Sequence, residues 1–246
     1  MEENLRIRPA GDQALLIEFG AEINPQINLR VQEFSRWASS HKVPGIGEMI
    51  PSYCSALVTY DPFLLSFAET AAWVREFVGS NPVRAEASAP VKEVPVLYGG
   101  EYGPDLSFVA SHNRITEEEV IRLHTGQEFL VYVVGFSPGF TAMGIVPPQI
   151  QAPRLANPRT KVPAGSVGIG GLQTGIYAVE SPGGWQLIGR TPLRLFDLEK
   201  NPPSFFQAGD YARFYSISEK EYKNRIQDSG FRTKTPSNFF ILYPVS

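Results

Sequence analysis

Residues 161–191, KVPAGSVGIGGLQTGIYAVESPGGWQLIGRT, decide how this chain folds. No helical period is sustained through it, so the stretch is not helical. Short β-prone runs, Ser166–Ile169 and Gln173–Tyr177, alternate instead with turn residues. The same character reaches back to Gly135, and half of the chain's 22 glycines fall between Gly135 and Thr191. Short strands joined by tight turns indicate a barrel-like or sandwich β domain. Glu128–Val134 leads into it as a strong strand, and Phe196–Leu198 and Tyr211–Ile217 read as strands that close it. One helix precedes it, over about 117–125, with Thr116 and Glu119 spaced as a capping box and Gly126 at its end.

The first 80 residues follow a different rhythm. Ala14–Phe19 suits a buried strand, and Asn24-Pro25 opens a helix with Ile27, Val31, Phe34 and Ala38 at helical spacing. Pro44-Gly45-Ile46-Gly47 reads as loop and Cys54–Tyr60 as a second strand. A second helix ends at Gly79 and carries Phe67, Ala71, Val74 and Val78 on one face. This alternation predicts an α+β domain of split-βαβ, ferredoxin-like type over 1–80. Residues 81–90 read as a linker, 91–231 as the β-barrel domain, and 232–246 as a tail with no assigned place.

With 43% hydrophobic residues, either part can bury a core. The formal charge of −3 comes with no basic block, which argues against a nucleic-acid partner. No stretch has the roughly 20 apolar residues of a membrane span, and the acidic N-terminus is unlike a signal peptide. A single cysteine, Cys54, fits a reducing cytoplasm. His41, His112 and His124 have no metal-ligand spacing, so no metal is expected. His124 reads as a charge partner for its helix C-terminus.

Several motifs bear on chemistry. Gly135-Phe136-Ser137-Pro138-Gly139 matches G-x-S-x-G, but a nucleophile elbow needs a backbone N–H after the serine, and Pro138 has none. A tight loop presenting Phe136 and Phe140 fits better. Gly165–Gly171 fails both the Walker and dinucleotide patterns. Its glycines suit a tight barrel corner, or backbone amides lining an anion pocket. Arg154, Arg159 and Arg190 sit in Pro/Gly-rich segments, either as rigid forks for an anion or as loop charges. Trp185 reads as a core anchor. Gln173 and Thr174 suit either an amide ligand or the barrel backbone.

Taken in order, these segments resemble the KipI family, that of the 5-oxoprolinase B subunit, also called allophanate hydrolase subunit 1. The resemblance runs from Gly11-Asp12-Gln13 through Pro44-Gly45-Ile46-Gly47-Glu48, Gly99-Gly100-Glu101-Tyr102-Gly103-Pro104-Asp105, Gly135–Phe140, Pro158-Arg159, Val162–Val167 and Gln173–Tyr177 to Ser181–Trp185 and Gly189-Arg190-Thr191. It implies a cyclophilin-like barrel and two partners: a C-subunit homologue (KipA-like) and a lactam-utilisation A subunit. The implied reaction is ATP-dependent opening of 5-oxoproline to glutamate, with Mg2+ arriving on ATP and no tightly bound cofactor. Two other activities follow from it: inhibition of a sporulation histidine kinase through Phe136, Phe140 and Met143, and urea- or allophanate-related amide hydrolysis. Where the family commonly carries an aromatic and a leucine, this chain has Ala142-Met143, which is expected to open the loop.

On that resemblance, Arg154, Arg159 and Arg190 supply positive charge to phosphoryl transfer. Amides at Gly165-Ser166 and Gly183-Gly184 hold an oxyanion or phosphate. Gln173 and Ser166 orient the lactam, and Arg159, Ser166 and Gln173 are the catalytic candidates. Phe136, Pro138, Gly139, Phe140, Ser181 and Thr191 complete the expected binding surface. No general base stands out, which fits a site completed by another chain.

Overall fold

The computed structural model describes residues 5–79 and 91–228. The expected linker at 81–90 and the tail at 232–246 lie outside the described residues.

The first unit is a four-stranded antiparallel sheet with two helices. Strands β1 (Arg6–Pro9), β2 (Ala14–Glu18), β3 (Ile46–Pro51) and β4 (Ser55–Tyr60) stand in the order β1-β2-β4-β3. Helix α1 (Pro25–Ser40) links β2 to β3, and α2 (Phe67–Gly79) follows β4. The Asn24 side chain accepts the Gln26 N–H at 2.8 Å, and Pro25 holds the first helical position, where its missing N–H costs nothing. Ser66 and Glu69 make a reciprocal capping box at the start of α2. Val31, Phe34 and Trp37 of α1 meet Leu15, Ile17, Ala56 and Val58 of the sheet and Trp73, Val74 and Phe77 of α2. Two expectations change here. Ile46-Gly47 begins the edge strand β3 instead of remaining loop, because Ile46 pairs with Tyr60. The buried face of α2 is Thr70, Ala71, Trp73, Val74 and Phe77, whereas Phe67 and Val78 are exposed.

The second unit is a closed barrel of seven strands, in the order β10-β7-β6-β13-β5-β12-β9. These are β5 (Val91–Tyr98), β6 (Glu128–Val134), β7 (Thr141–Gly144), β9 (Ser166–Gly170), β10 (Gln173–Ile176), β12 (Gln186–Arg190) and β13 (Tyr211–Ser216). A two-stranded ribbon, β8 (Arg159–Val162) with β11 (Ser181–Gly183), lies outside that closure. Neighbouring barrel strands pair antiparallel except β5 with β13. Alternation sends Val94, Val96, Phe129, Val131, Val167, Ile169 and Phe214 into the barrel core. Three helices attend the barrel: α3 (Leu106–Asn113), α4 (Glu117–Thr125) and α5 (Glu219–Asp228). Thr116 caps α4 by accepting the Glu119 N–H at 3.2 Å. Phe196–Leu198 forms no strand; Phe196 makes a single bridge to Ser204. Among the described residues, no helix is long and apolar enough to cross a membrane.

Candidate functional site

The site builds up on the outer face of strands β7, β10, β9 and β12. Because Val167, Ile169 and Ile176 point into the core, Ser166, Gly168, Gly170, Gln173 and Gly175 face outward. The Trp185 indole lies on that glycine floor. A Cβ at Gly168, Gly170 or Gly175 would stand 3.2, 2.7 or 2.9 Å from Trp185 atoms. Within the run, Gly168 and Gly170 clear space for that ring, whereas Gly165 and Gly171 take the positive φ, +81° and +67°, of tight turns at its two ends. Phe140 meets Trp185 edge-on at 5.5 Å and Tyr177 at 5.0 Å. Gly183 lets the Tyr177 ring pass, since a Cβ there would collide with it. Ala142 lies buried in the same cluster, so it closes the packing under the loop instead of opening it. Tyr53 of the first unit packs against this cluster.

Two of the three arginines gather at Trp185. The Arg154 guanidinium lies 5.6 Å from the indole centroid and has no carboxylate partner among the described residues. Arg159 reaches the Trp185 carbonyl at 3.4 Å and donates to Asp105 Oδ1 at 2.7 Å. Asp105, which no sequence motif marks as functional, also accepts the Leu187 N–H through Oδ2 at 2.6 Å. Its signals are its position opening α3, after Gly103-Pro104, and its place in the Gly99–Asp105 segment of the resemblance. Arg190 stands apart, 5.4 Å from the Tyr102 ring and near the Tyr222 phenol.

The Gly165-Ser166 part of the expected amide cradle is already spent. Gly165 N–H donates to Tyr177 O at 2.6 Å and Ser166 N–H to Pro163 O at 3.2 Å. Thr191 N–H donates to Gly165 O, and its hydroxyl accepts the Leu193 N–H. Gly184 O accepts from Leu155 N–H at 2.7 Å. With those two amides used, Gly165-Ser166 does not form a cradle for the phosphates of ATP. Ser166 and Gln173 also fail to converge. Gln173 pairs with Gly170, four residues along β9 from Ser166, so they lie roughly 13 Å apart with Trp185 between them. A small lactam cannot touch both. Ser166 Oγ, Gln173 Nε2, Ser181 Oγ and Arg190 Nε are buried without hydrogen-bond partners.

The Gly135–Phe140 loop forms the rim. Gly135 N–H donates to Phe140 O at 2.9 Å and Phe140 N–H to Ser137 O at 3.0 Å, so the loop is tightly closed. Gly139 takes φ +73°, and a Cβ there would press on Phe196 and Ala178. Phe136 also takes a positive φ, +76°, which costs a non-glycine residue about 1–3 kcal/mol. Its side chain is 84% exposed, edge-on to Phe140 at 5.9 Å. Pro138 is exposed beside it, and the Ser137 hydroxyl is buried without a partner. Of the residues expected to meet a kinase, Phe140 and Met143 are buried, the latter inside the barrel, so no such apolar patch exists there.

His124 corrects a further expectation. It is fully buried in the barrel, between Tyr98 and Thr174, each 2.8 Å from one ring nitrogen. Thr174 Oγ1 donates to Gly168 O, so it accepts from His124 Nε2–H, and Nδ1 accepts from Tyr98. Burial lowers the imidazole pKa to about 3 and pushes the Tyr98 phenol well up. A neutral imidazole cannot serve as the charge partner of its helix end. Two clefts, of about 320 Å3 beside Trp73 and about 360 Å3 beside Tyr102, lie away from the Trp185 wall. Among the described residues, no group of three or more His, Cys, Asp or Glu is placed to hold a metal.

Residues 5–206 match the family described as carboxyltransferase domain, subdomain C and D. The chain is 43% identical over 239 residues to the 5-oxoprolinase B subunit of Bacillus subtilis, covering 93% of this chain and all of that one. It is 29% identical to the urea amidolyase of Lachancea kluyveri, over 90% of this chain but 14% of that longer protein. The crystal structure of TTHA0988 superimposes with a TM-score of 0.74 at 31% identity, over 87% of this chain and 40% of that one. The chain therefore belongs to the carboxyltransferase subdomain C and D family and, within it, to the family of the 5-oxoprolinase B subunit.

Proposed function

We propose that this chain is the B subunit of an ATP-dependent 5-oxoprolinase, which opens the lactam of 5-oxoproline to give glutamate. Its barrel is of cyclophilin-like type. Its first unit is a split-βαβ module, a reading supported by β2 and β3 running parallel on either side of β4. The observation that carries the functional reading is the pair of guanidinium groups at Trp185, one of them exposed and without a carboxylate partner among the described residues. 5-Oxoproline carries a carboxylate and a compact planar amide ring. Arg154 is the fork for the carboxylate, while Arg159, its charge matched by Asp105, holds the Trp185 backbone in place. Trp185, Phe140 and Tyr177 keep water from one side of the site.

The Trp185 wall presents no amide cradle for phosphate at Gly165-Ser166. ATP and the general base are therefore assigned to the partners, a C-subunit homologue and a lactam-utilisation A subunit. The test is co-expression with those partners and measurement of ATP-dependent glutamate release. Arg154→Ala is expected to lower kcat/KM by about 10- to 100-fold, the size of one charged hydrogen bond. Undiminished activity in Arg154→Ala would remove the assigned carboxylate site. Release of products from urea or allophanate, with 5-oxoproline untouched, would move the chain to the chemistry suggested by its amidolyase relative.

A further inference from the structure

We infer that the Gly135–Phe140 loop is the lactam-recognition element of this site, with the Phe136 ring stacking on the face of the substrate ring and Ser137 Oγ hydrogen-bonding its amide. This rests on the 5-oxoprolinase reading and assigns what no feature of that reading requires. Two neighbouring residues each carry a cost in the free chain. Phe136 holds a backbone conformation that glycine would adopt without strain, at φ +76°. Its ring recovers little of that cost by burial, because it is 84% exposed. Ser137 is 9% exposed, yet its hydroxyl has no partner. A hydroxyl so placed forfeits its water hydrogen bonds without replacing them. A ligand with a flat apolar face and an adjacent amide donor or acceptor offsets the first cost and removes the second. Proteins keep such local violations where a bound molecule resolves them.

The loop is built to hold these groups still. Its two backbone bonds close it, and Phe140 anchors it in the aromatic cluster that also carries Trp185 and the Arg154 guanidinium. A protein partner is the poorer match. Interface anchors sit within a surrounding apolar patch, whereas Phe136 is flanked by Gly135, Ser137 and Pro138. The large exposed side chains Phe63, Leu64 and Leu198 belong to other segments. One isolated ring with one hydroxyl beside it matches a small cyclic amide. Ser137 acts here as a binding group, not a nucleophile, in keeping with the missing N–H at Pro138.

The test uses the complete enzyme assembled from this chain and its partner subunits, with 5-oxoproline as probe under saturating ATP. Phe136→Gly and Ser137→Ala should each raise KM for 5-oxoproline by about tenfold, the size of one lost stacking contact or hydrogen bond. Their kcat should stay within about twofold of wild type, as expected when a binding contact is removed. Phe136→Tyr, which keeps the ring, should retain the wild-type KM. Thermal unfolding of each variant chain should show no loss of stability, because both changes relieve a cost in the free chain. Unchanged KM values, lowered melting temperatures, or loss of co-purification with the partners would each overturn the assignment. A wild-type assembly that leaves 5-oxoproline intact removes the functional reading and this ligand together. An active wild type with unaltered variants removes only the loop's role.

Discussion

Arg159 and Asp105, 54 residues apart, form one ion pair at 2.7 Å, and the second oxygen of Asp105 fixes the Leu187 amide at 2.6 Å. One carboxylate thereby ties β8, β12 and the start of α3 together. It also sets where the Arg159 fork points. Both side chains are largely sheltered, so this pair differs from a solvated surface bridge, which is worth little. Asp105→Ala leaves a guanidinium and an amide without their acceptor, and a loss of about 2–3 kcal/mol is expected. Asp105→Asn, which keeps one acceptor, should lose about half as much. Urea unfolding measures both; wild-type stability in Asp105→Ala would show the bridge to be ornamental.

The glycine floor under Trp185 makes a second prediction. In Gly170→Ala the new methyl group would stand 2.7 Å from the indole, closer than packed atoms tolerate. The indole must tilt or the strand must shift, at a cost of about 1–3 kcal/mol. At Gly79, which ends α2, an added methyl would meet nothing within 4 Å, and φ is not positive, so Gly79→Ala should be neutral or slightly stabilising. Urea unfolding followed by tryptophan fluorescence compares them. Equal stability of the two variants would mean that Trp185 does not rest on the floor as described.

Arg190 is expected to separate from Arg154 in its effect. It lies over Tyr102 and near the phenol of Tyr222, a buried residue of α5. Removing it should loosen that helix against the Gly99–Asp105 turn by about 1 kcal/mol. Faster amide hydrogen exchange across 219–228 in Arg190→Ala, and not in Arg154→Ala, is the expected result. Identical exchange in both would return Arg190 to the groups that wait for an anion.

The parts of this fold that were legible in the sequence are those set by local chemistry. Asn24-Pro25 and Thr116 mark helix starts because a cap acts on residues two or three positions away. The short glycine-punctuated strands disclosed the barrel for the same reason. What escaped depends on partners far along the chain. Edge strand β3 is defined by its pairing with β4, and its half-exposed pattern with Gly47 gave no period to read. Helix α3 has no side-chain cap at Asp105 and little amphipathic pattern. Around Trp185, the sequence named segments that do meet, those of Arg154, Arg159 and Gly168–Gly170, but not the contacts within them. That Gly165 and Ser166 spend their amides on Tyr177 and Pro163, or that Asp105 claims Arg159, is a matter of tertiary geometry alone.

His124 gives the last prediction, and its sign follows from burial. Its folded pKa is lowered to about 3, below the roughly 6.5 of an unfolded histidine. Between those values the unfolded chain binds a proton that the folded chain excludes. Stability is therefore complete above about pH 6.5 and falls as the pH drops toward 3, by up to about 1.4 kcal/mol per pH unit from this group. The loss arises because a charged imidazole cannot keep both its Tyr98 and Thr174 bonds in the barrel core, where Tyr98 donates and no anion compensates. His124→Gln retains a polar group without the titration. Its stability at neutral pH should be lower than wild type, since the ring also packs on Phe129 and Phe214. Its stability between pH 6.5 and 4.5 should nevertheless decline less steeply. Urea unfolding at several pH values in that window measures the two slopes, and parallel slopes would mean that His124 takes up its proton without unfolding the barrel.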